Sequence, residues 1–110
     1  MSADECAVYF GLRFEIPEGE IDAVEARTDP RMIAARDARL RRYWGSVADG
    51  DERYYLLVGA EIGVMGIDGK LDVELSRAGL EAIMDETTAK LKAASFEGEP
   101  KLYVQYFPDY

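Results

Sequence analysis

The sequence is most informative chemically in the residue types that it lacks. The 110 residues include no histidine and only one cysteine, Cys6. Without imidazole, the common Ser-His and Cys-His nucleophile pairs and histidine metal ligands cannot be built, and one thiol cannot hold zinc or an iron–sulfur cluster. We interpret Cys6 as a small apolar residue on the inward row of a strand. We therefore expect no catalytic residue of the common types, no metal site and no cofactor.

Asp37 is the one carboxylate that interrupts an apolar pattern. It falls on the apolar stripe of a predicted helix, where a charged group must be paired, protonated or at the edge of the buried region. Arg36 precedes it, and Arg41 follows one helical turn later. Two interpretations stay open: an ion pair at the margin of the core, or a recessed Asp-Arg site for a polar ligand or partner group.

Charge is distributed unevenly along the chain. The net charge is −9, yet residues 27–48 carry six arginines against two aspartates. An excess of acid opposes binding to nucleic acid and to anionic lipid, since both require neutralising cations along the contact. We therefore expect neither nucleic acid nor a membrane as a partner. These arginines either form the solvent-exposed side of one helix and pair with neighbouring acidic residues, or they dock that helix to an acidic group of a partner.

Alternating strand and helix patterns must position these residues. Apolar residues recur at every second position in the strands and at every third or fourth position in the helices. Asp29 and Ser76 are favourable N-cap residues, and Asp68-Gly69 is typical of a two-residue hairpin turn. The predicted elements are strands at Cys6–Ile16, Arg53–Met65, Leu71–Leu75 and Lys101–Phe107, and helices from Pro30 to about Trp44 and at Arg77–Ala94.

The order of these elements is β-α-β-β-α-β. This order predicts a single α+β domain over residues 1–110 with a ferredoxin-like plait, in which an antiparallel four-stranded sheet carries both helices on one face. No repeat and no linker rich in Pro, Gly or Ser divides the chain. The acidic segment Glu18–Arg27 adds two short helical turns after the first strand.

If both helices cover one face of the sheet, the odd-numbered positions of the long strands form an uncovered face. This uncovered face is rich in aromatic residues and poor in charge, a composition typical of an interface core. A monomer seldom exposes such a patch without using it. Alternatively, Glu18–Arg27 or Pro108–Tyr110 folds across it. The predicted binding residues on the uncovered face are Tyr9, Arg13, Tyr55, Leu57, Glu61, Met65, Tyr103 and Phe107.

Two functions from different classes fit this composition. The first is a non-enzymatic protein that binds a protein partner, or itself, through the uncovered face or the arginine-rich helix, as small acidic inhibitor, immunity and antagonist proteins do. Its negative charge would speed docking onto a basic target. The second is a dimeric plait-type sensor of small ligands or a minor enzyme, with a pocket near Asp37 and Arg41. The single cysteine and the lack of a visible secretion signal favour a cytoplasmic protein of prokaryotic or phage origin.

Overall fold

The computed structural model describes residues 4–49 and 51–108. The strands are β1 (Glu5–Glu15), β2 (Arg41–Asp49), β3 (Asp51–Gly66) and β4 (Lys101–Phe107), and the helices are α1 (Ile21–Glu25), α2 (Pro30–Asp37) and α3 (Arg77–Ala93). The strands form one open antiparallel sheet in the order β2-β3-β1-β4, so β2 and β4 are its edges. The fold class is α+β, as the sequence predicts. None of the helices in the described ranges has both the length and the apolar character needed to cross a membrane.

Local sequence signals set the ends of several elements. The Asp29 carboxylate accepts a 2.9 Å hydrogen bond from the backbone N–H of Arg31 and caps α2. The Ser76 hydroxyl accepts a 3.0 Å hydrogen bond from the backbone N–H of Gly79 and caps α3. β1 ends shortly before Pro17, because proline has no N–H to donate to the ladder of hydrogen bonds. The predicted first and last strands, the second long helix and both N-caps are confirmed to within one residue.

The first long helix is shorter than its apolar pattern predicts. α2 ends at Asp37, so the predicted helix to about Trp44 is wrong. Arg39 adopts the left-handed backbone conformation, with a φ of 61°, and the N–H of Leu40 donates to the C=O of Ala35 at 2.8 Å. These two features form a helix stop of the kind that usually recruits glycine or asparagine.

Residues 41–49 form β2 because their side chains alternate between the two faces of the sheet. Tyr43 and Val47 join the apolar cluster on one face, and Trp44 packs against the cluster on the other. The same Trp44 also fits a helical stripe, four residues after Leu40, so periodicity alone does not distinguish the two structures. Residues 41–49 pair with β3 along their whole length, and this pairing makes the segment a strand.

The predicted strand at Leu71–Leu75 is also wrong. Asp68-Gly69 does lie in a turn, but beyond one isolated bridge between Met65 and Lys70 the chain leaves the sheet. β2 pairs with the outer edge of β3 from Asp51 to Gly59, so the place beside this part of β3 belongs to β2. The sheet therefore keeps four strands, with β2 in place of the strand predicted at Leu71–Leu75.

The helices pack against one face of the sheet, here named the helical face. Its core joins the middle of β1 and β3 to all three helices, and burial of each aliphatic side chain there contributes about 1.5–3 kcal/mol. This cover stops short of the edge strand β4. The buried core residues are Leu12, Ile16, Val24, Met32, Ala35, Leu40, Leu56, Val58 and Leu91.

The opposite face, here named the aromatic face, is concave. Phe107 lies beside Glu5 at one end of β1, whereas Gly45 lies in register with Tyr55 and Glu15 at the other end. Even so, a Cβ atom on Gly45 would be 2.8 Å from the Phe107 ring. Two diagonally placed regions of the sheet, around Gly45 in β2 and Phe107 in β4 and here called its corners, therefore fold towards each other, in the sense that strand twist favours.

Two paired glycines at the centre of the sheet allow this close coiling. Gly11 and Gly59 lie opposite each other in β1 and β3, with φ values of 159° and 154°. A Cβ atom on Gly11 would lie 2.1 Å from the carbonyl oxygen of Val58, and one on Gly59 would lie 2.2 Å from that of Phe10. Only a residue without a side chain fits at either position.

Candidate functional site

A β-bulge in β3 determines which of its residues reach the aromatic face. Val8 lies opposite Gly63, but the next residue, Tyr9, lies opposite Glu61. Ile62 is therefore an extra residue on β3, and the alternation of side chains reverses beyond it. Glu61 stays on the aromatic face beside Tyr9.

Met65 is moved to the other side of the sheet by this bulge. It lies opposite Cys6 and lines an apolar cleft on the helical face together with Val8. Val64 takes the place opposite Ala7, which is buried on the aromatic face. The prediction that Met65 belongs to the uncovered face is wrong, because strict alternation through β3 does not allow for the bulge.

The other seven residues predicted for that face do come together on the aromatic face, but its centre is not open. Tyr9 is only 1% exposed, and Leu57 and Phe107 are buried with it. The cover comes from Tyr43, whose ring centroid is 6.3 Å from that of Tyr9 and 5.0 Å from that of Phe107. The folded corner of β2 thus shields the middle of the face.

Of the two segments proposed to fold across the face, Glu18–Arg27 does not provide this cover. The Glu18–Arg27 segment packs on the helical face, where Val24 is part of the core. Of Pro108–Tyr110, residues 109–110 lie outside the described residues.

The accessible part of the aromatic face is centred on Arg13. Its guanidinium carbon lies 4.7 Å from the ring centroid of Tyr55 and 4.9 Å from that of Tyr103, so that the cation contacts both rings. Its Nη1 donates a 2.6 Å hydrogen bond to the side-chain oxygen of Gln105. Arg13 itself is exposed, whereas both tyrosines are half-buried. We name this group of four residues the arginine clamp.

A network of tyrosines and carboxylates lies beside the clamp. The Tyr9 hydroxyl donates to Glu61 at 2.9 Å, and Arg41 donates to the other oxygen of that carboxylate at 3.3 Å. The Tyr43 hydroxyl donates to Glu5 at 2.9 Å. Burial, with the neighbouring carboxylate as a second cause, raises the pKa of Tyr9 and of Tyr43 well above the ordinary range. Both phenols are therefore neutral donors at physiological pH, and neither is poised as a general base.

The predicted polar site does not form around Asp37. Asp37 pairs with Arg36 at 3.1 Å, and both side chains are 66% exposed, so this is a surface ion pair. Arg41 lies in β2 and pairs with Glu61, because the helix that would have placed it one turn after Asp37 has already ended. Asp37 does border an open cleft of about 360 Å³, which is lined mainly by alanines and by Lys90.

Two features of the molecular surface are not apparent from the sequence. Tyr43, assigned to a helix, is the residue that covers Tyr9. The other feature is an exposed apolar strip on β4, where Leu102, Val104 and Tyr106 are 55%, 66% and 51% exposed. Strict alternation along β4 is visible in the sequence, but the extent of helix cover is not.

Comparison with known proteins adds no assignment. The chain matches no family model, no curated protein and no solved structure.

Proposed function

We propose that the fold is a ferredoxin-like plait. The strand order supports this assignment, because β1 and β3 are central and each helical connection crosses one strand. The connection from β1 to β2 passes over β3, and the one from β3 to β4 passes over β1. All three helices contribute to the core on a single face, as in a two-layer α+β fold.

We propose that the protein is a non-enzymatic binding protein that engages a protein partner through the arginine clamp. One observation carries this proposal: an exposed guanidinium is held between two half-buried tyrosine rings. Arginine and tyrosine dominate the residues that contribute most to binding at protein interfaces. The stacked cation has little conformational freedom left to lose on binding, which favours affinity.

The charge of the molecule indicates the chemistry of that partner. A net charge of −9 accelerates encounter with a basic surface, while Arg13 is suited to a carboxylate within that surface. The partner is therefore a basic protein that presents an acidic side chain at the centre of the contact. This chemistry gives no support to nucleic acid or lipid as the ligand.

A small-ligand sensor or minor enzyme has less support. The pocket proposed for it required Asp37 and Arg41 together, and each is engaged in a separate ion pair. A thermal-shift screen against metabolites distinguishes the two functions. Stabilisation that rises with the concentration of one metabolite would favour the sensor.

The test of the clamp uses substitution of its exposed cation. The partner is captured with the wild-type protein and purified, and its affinity is measured by calorimetry. Arg13→Ala should raise Kd about 30-fold or more, as expected for a residue at the centre of a contact. Arg13→Lys should weaken binding nearly as much, because an ammonium keeps the charge but not the planar stacking.

The control truncates another exposed charged side chain, far from the clamp. Glu81→Ala on the exposed side of α3 should leave Kd within about threefold. Circular dichroism checks that each variant remains folded. Equal affinity of Arg13→Ala and wild type would contradict the proposal, and so would restoration of wild-type affinity by Arg13→Lys.

A further inference from the structure

The edge strand β4 has features that neither its own fold nor the arginine clamp explains. It pairs with β1 on one side only, and no strand among the described residues pairs with its outer edge. Such an edge presents free backbone donors and acceptors to another chain. Proteins usually protect an edge with charge, proline or a bulge, but Leu102–Phe107 contains no charged residue and no proline.

The side chains of β4 add to this exposure on the helical face. Leu102, Val104 and Tyr106 alternate along the strand, and each is more than half exposed. Leu102 also lines an apolar cleft of about 320 Å³ together with Met65 and Leu80. Leu102 thus joins the strip to the cleft, while at the other end of the strip the Tyr106 hydroxyl donates to the Asp4 carboxylate.

The sequence of β4 is suited to pairing with itself. Pro100 and Pro108 bracket the strand and are equidistant from Val104. Antiparallel pairing about Val104 is the register that pairs all seven strand residues without placing a proline opposite any of them. Shifting either strand by two residues brings a proline, which has no N–H to donate, into the ladder.

Pairing about Val104 also produces favourable neighbours across the strands. Val104 lies opposite Val104 of the second copy, and Leu102 lies opposite Tyr106 of the second copy, so three apolar pairs form on the helical face. Lys101, the only charged residue of β4, falls opposite Phe107 and meets no like charge. Tyr106 of the second copy then lies beside the apolar cleft that Leu102 lines.

We propose that two copies of this chain associate through antiparallel pairing of their β4 strands about Val104, forming one continuous eight-stranded sheet. Two residues of the arginine clamp, Tyr103 and Gln105, lie on β4, and Tyr103 would lie opposite Gln105 of the second copy on the aromatic face. The pairing needs no partner bound at the clamp. Because the clamp lies on the aromatic face and the apolar strip on the helical face, a dimer would present two clamps.

The first experiment measures mass by sedimentation equilibrium as a function of protein concentration. Wild type should reach twice the 12.3 kDa mass of the chain. Val104→Lys should raise the dimer dissociation constant about 100-fold, because it sets two ammonium groups opposite each other. Leu71→Lys, an equally drastic change at an exposed leucine outside β4, should leave dimerisation unchanged.

The second experiment tests the register in a Cys6→Ser background. Val104→Cys should form a disulfide-linked dimer under mild oxidation, since directly opposed residues lie about 4.5–5.5 Å apart between Cα atoms. Leu102→Cys should not, because its counterpart is displaced by four residues, about 13 Å along the strand. A wild-type mass of 12.3 kDa at every concentration would overturn the proposal, and so would cross-linking of Leu102→Cys as efficient as that of Val104→Cys.

Discussion

The aromatic face and the helical face of the sheet bury their apolar side chains by different means. On the helical face, residues from α1, α2 and α3 cover the middle of β1 and β3, but this cover ends before β4. On the aromatic face, the described residues include no packed helix, yet Tyr9 is 1% exposed. There the cover is the sheet itself, folded along its diagonal until Gly45 contacts the Phe107 ring.

This difference shows that the number of helices on a face does not determine how exposed it is. A strongly twisted sheet can enclose its own concave side, as happens more completely in a closed barrel. On the convex side the side chains of neighbouring strands diverge, so a given number of helices covers fewer of them. Among the described strand residues, the exposed large apolar side chains are consequently on the helical face at β4, and the exposed polar anchor is on the aromatic face at Arg13.

The sharpest test of the comparison substitutes one tyrosine on each face. Tyr9→Ala should lower the free energy of unfolding by about 3–5 kcal/mol, since it leaves a cavity in a buried cluster. Tyr106→Ala, at 51% exposure on the helical face, should cost less than about 1 kcal/mol. Urea unfolding at low protein concentration, where self-association does not contribute, measures both. Equally small losses of unfolding free energy for the two variants would show that the aromatic face is as open as β4.

A smaller effect is expected where the two corners of the sheet meet. Gly45→Ala should destabilise by about 1–3 kcal/mol, because its Cβ atom would be 2.8 Å from Cδ1 of a buried Phe107. Gly19→Ala is the matched control, since a Cβ atom there has no neighbour within 4 Å. Its stability should be unchanged or slightly raised, as the unfolded chain loses freedom. If both variants unfolded at the same urea concentration, the corners would not be in contact.

Features that depend on local pattern could be predicted from the sequence. Alternation defines β1 and β4, and Asp29 and Ser76 cap their helices because each needs only neighbouring backbone N–H groups. The composition of the aromatic face follows from alternation as well, with seven of the eight proposed residues in place.

Features that depend on pairing between distant strands could not be predicted. Trp44 satisfies both a helical and a strand pattern, and only its alignment with Leu56 of β3 decides between them. The extra residue Ile62 is visible only as a change of register between β1 and β3. The predicted site of Asp37 and Arg41 depends on a helical turn after Asp37, and α2 ends at that residue, so the two side chains are not brought together.

The smallest expected effect concerns the hydrogen bond that anchors the covering strand β2. Tyr43→Phe removes the 2.9 Å hydrogen bond to Glu5 and should lower the free energy of unfolding by about 1 kcal/mol at neutral pH.

The pH dependence of this effect follows from the environment of the Tyr43 hydroxyl. Burial, and secondarily the Glu5 carboxylate, raises the pKa of Tyr43, so the folded protein keeps this proton after the unfolded chain has begun to lose it near pH 10. Above that pH the unfolded state binds fewer protons, and wild-type stability falls as pH rises. The difference between wild type and Tyr43→Phe should therefore be constant from pH 7 to 9 and shrink above pH 10. Urea unfolding across this range measures it, and a difference that did not shrink would contradict the burial of Tyr43 by which β2 covers the aromatic face.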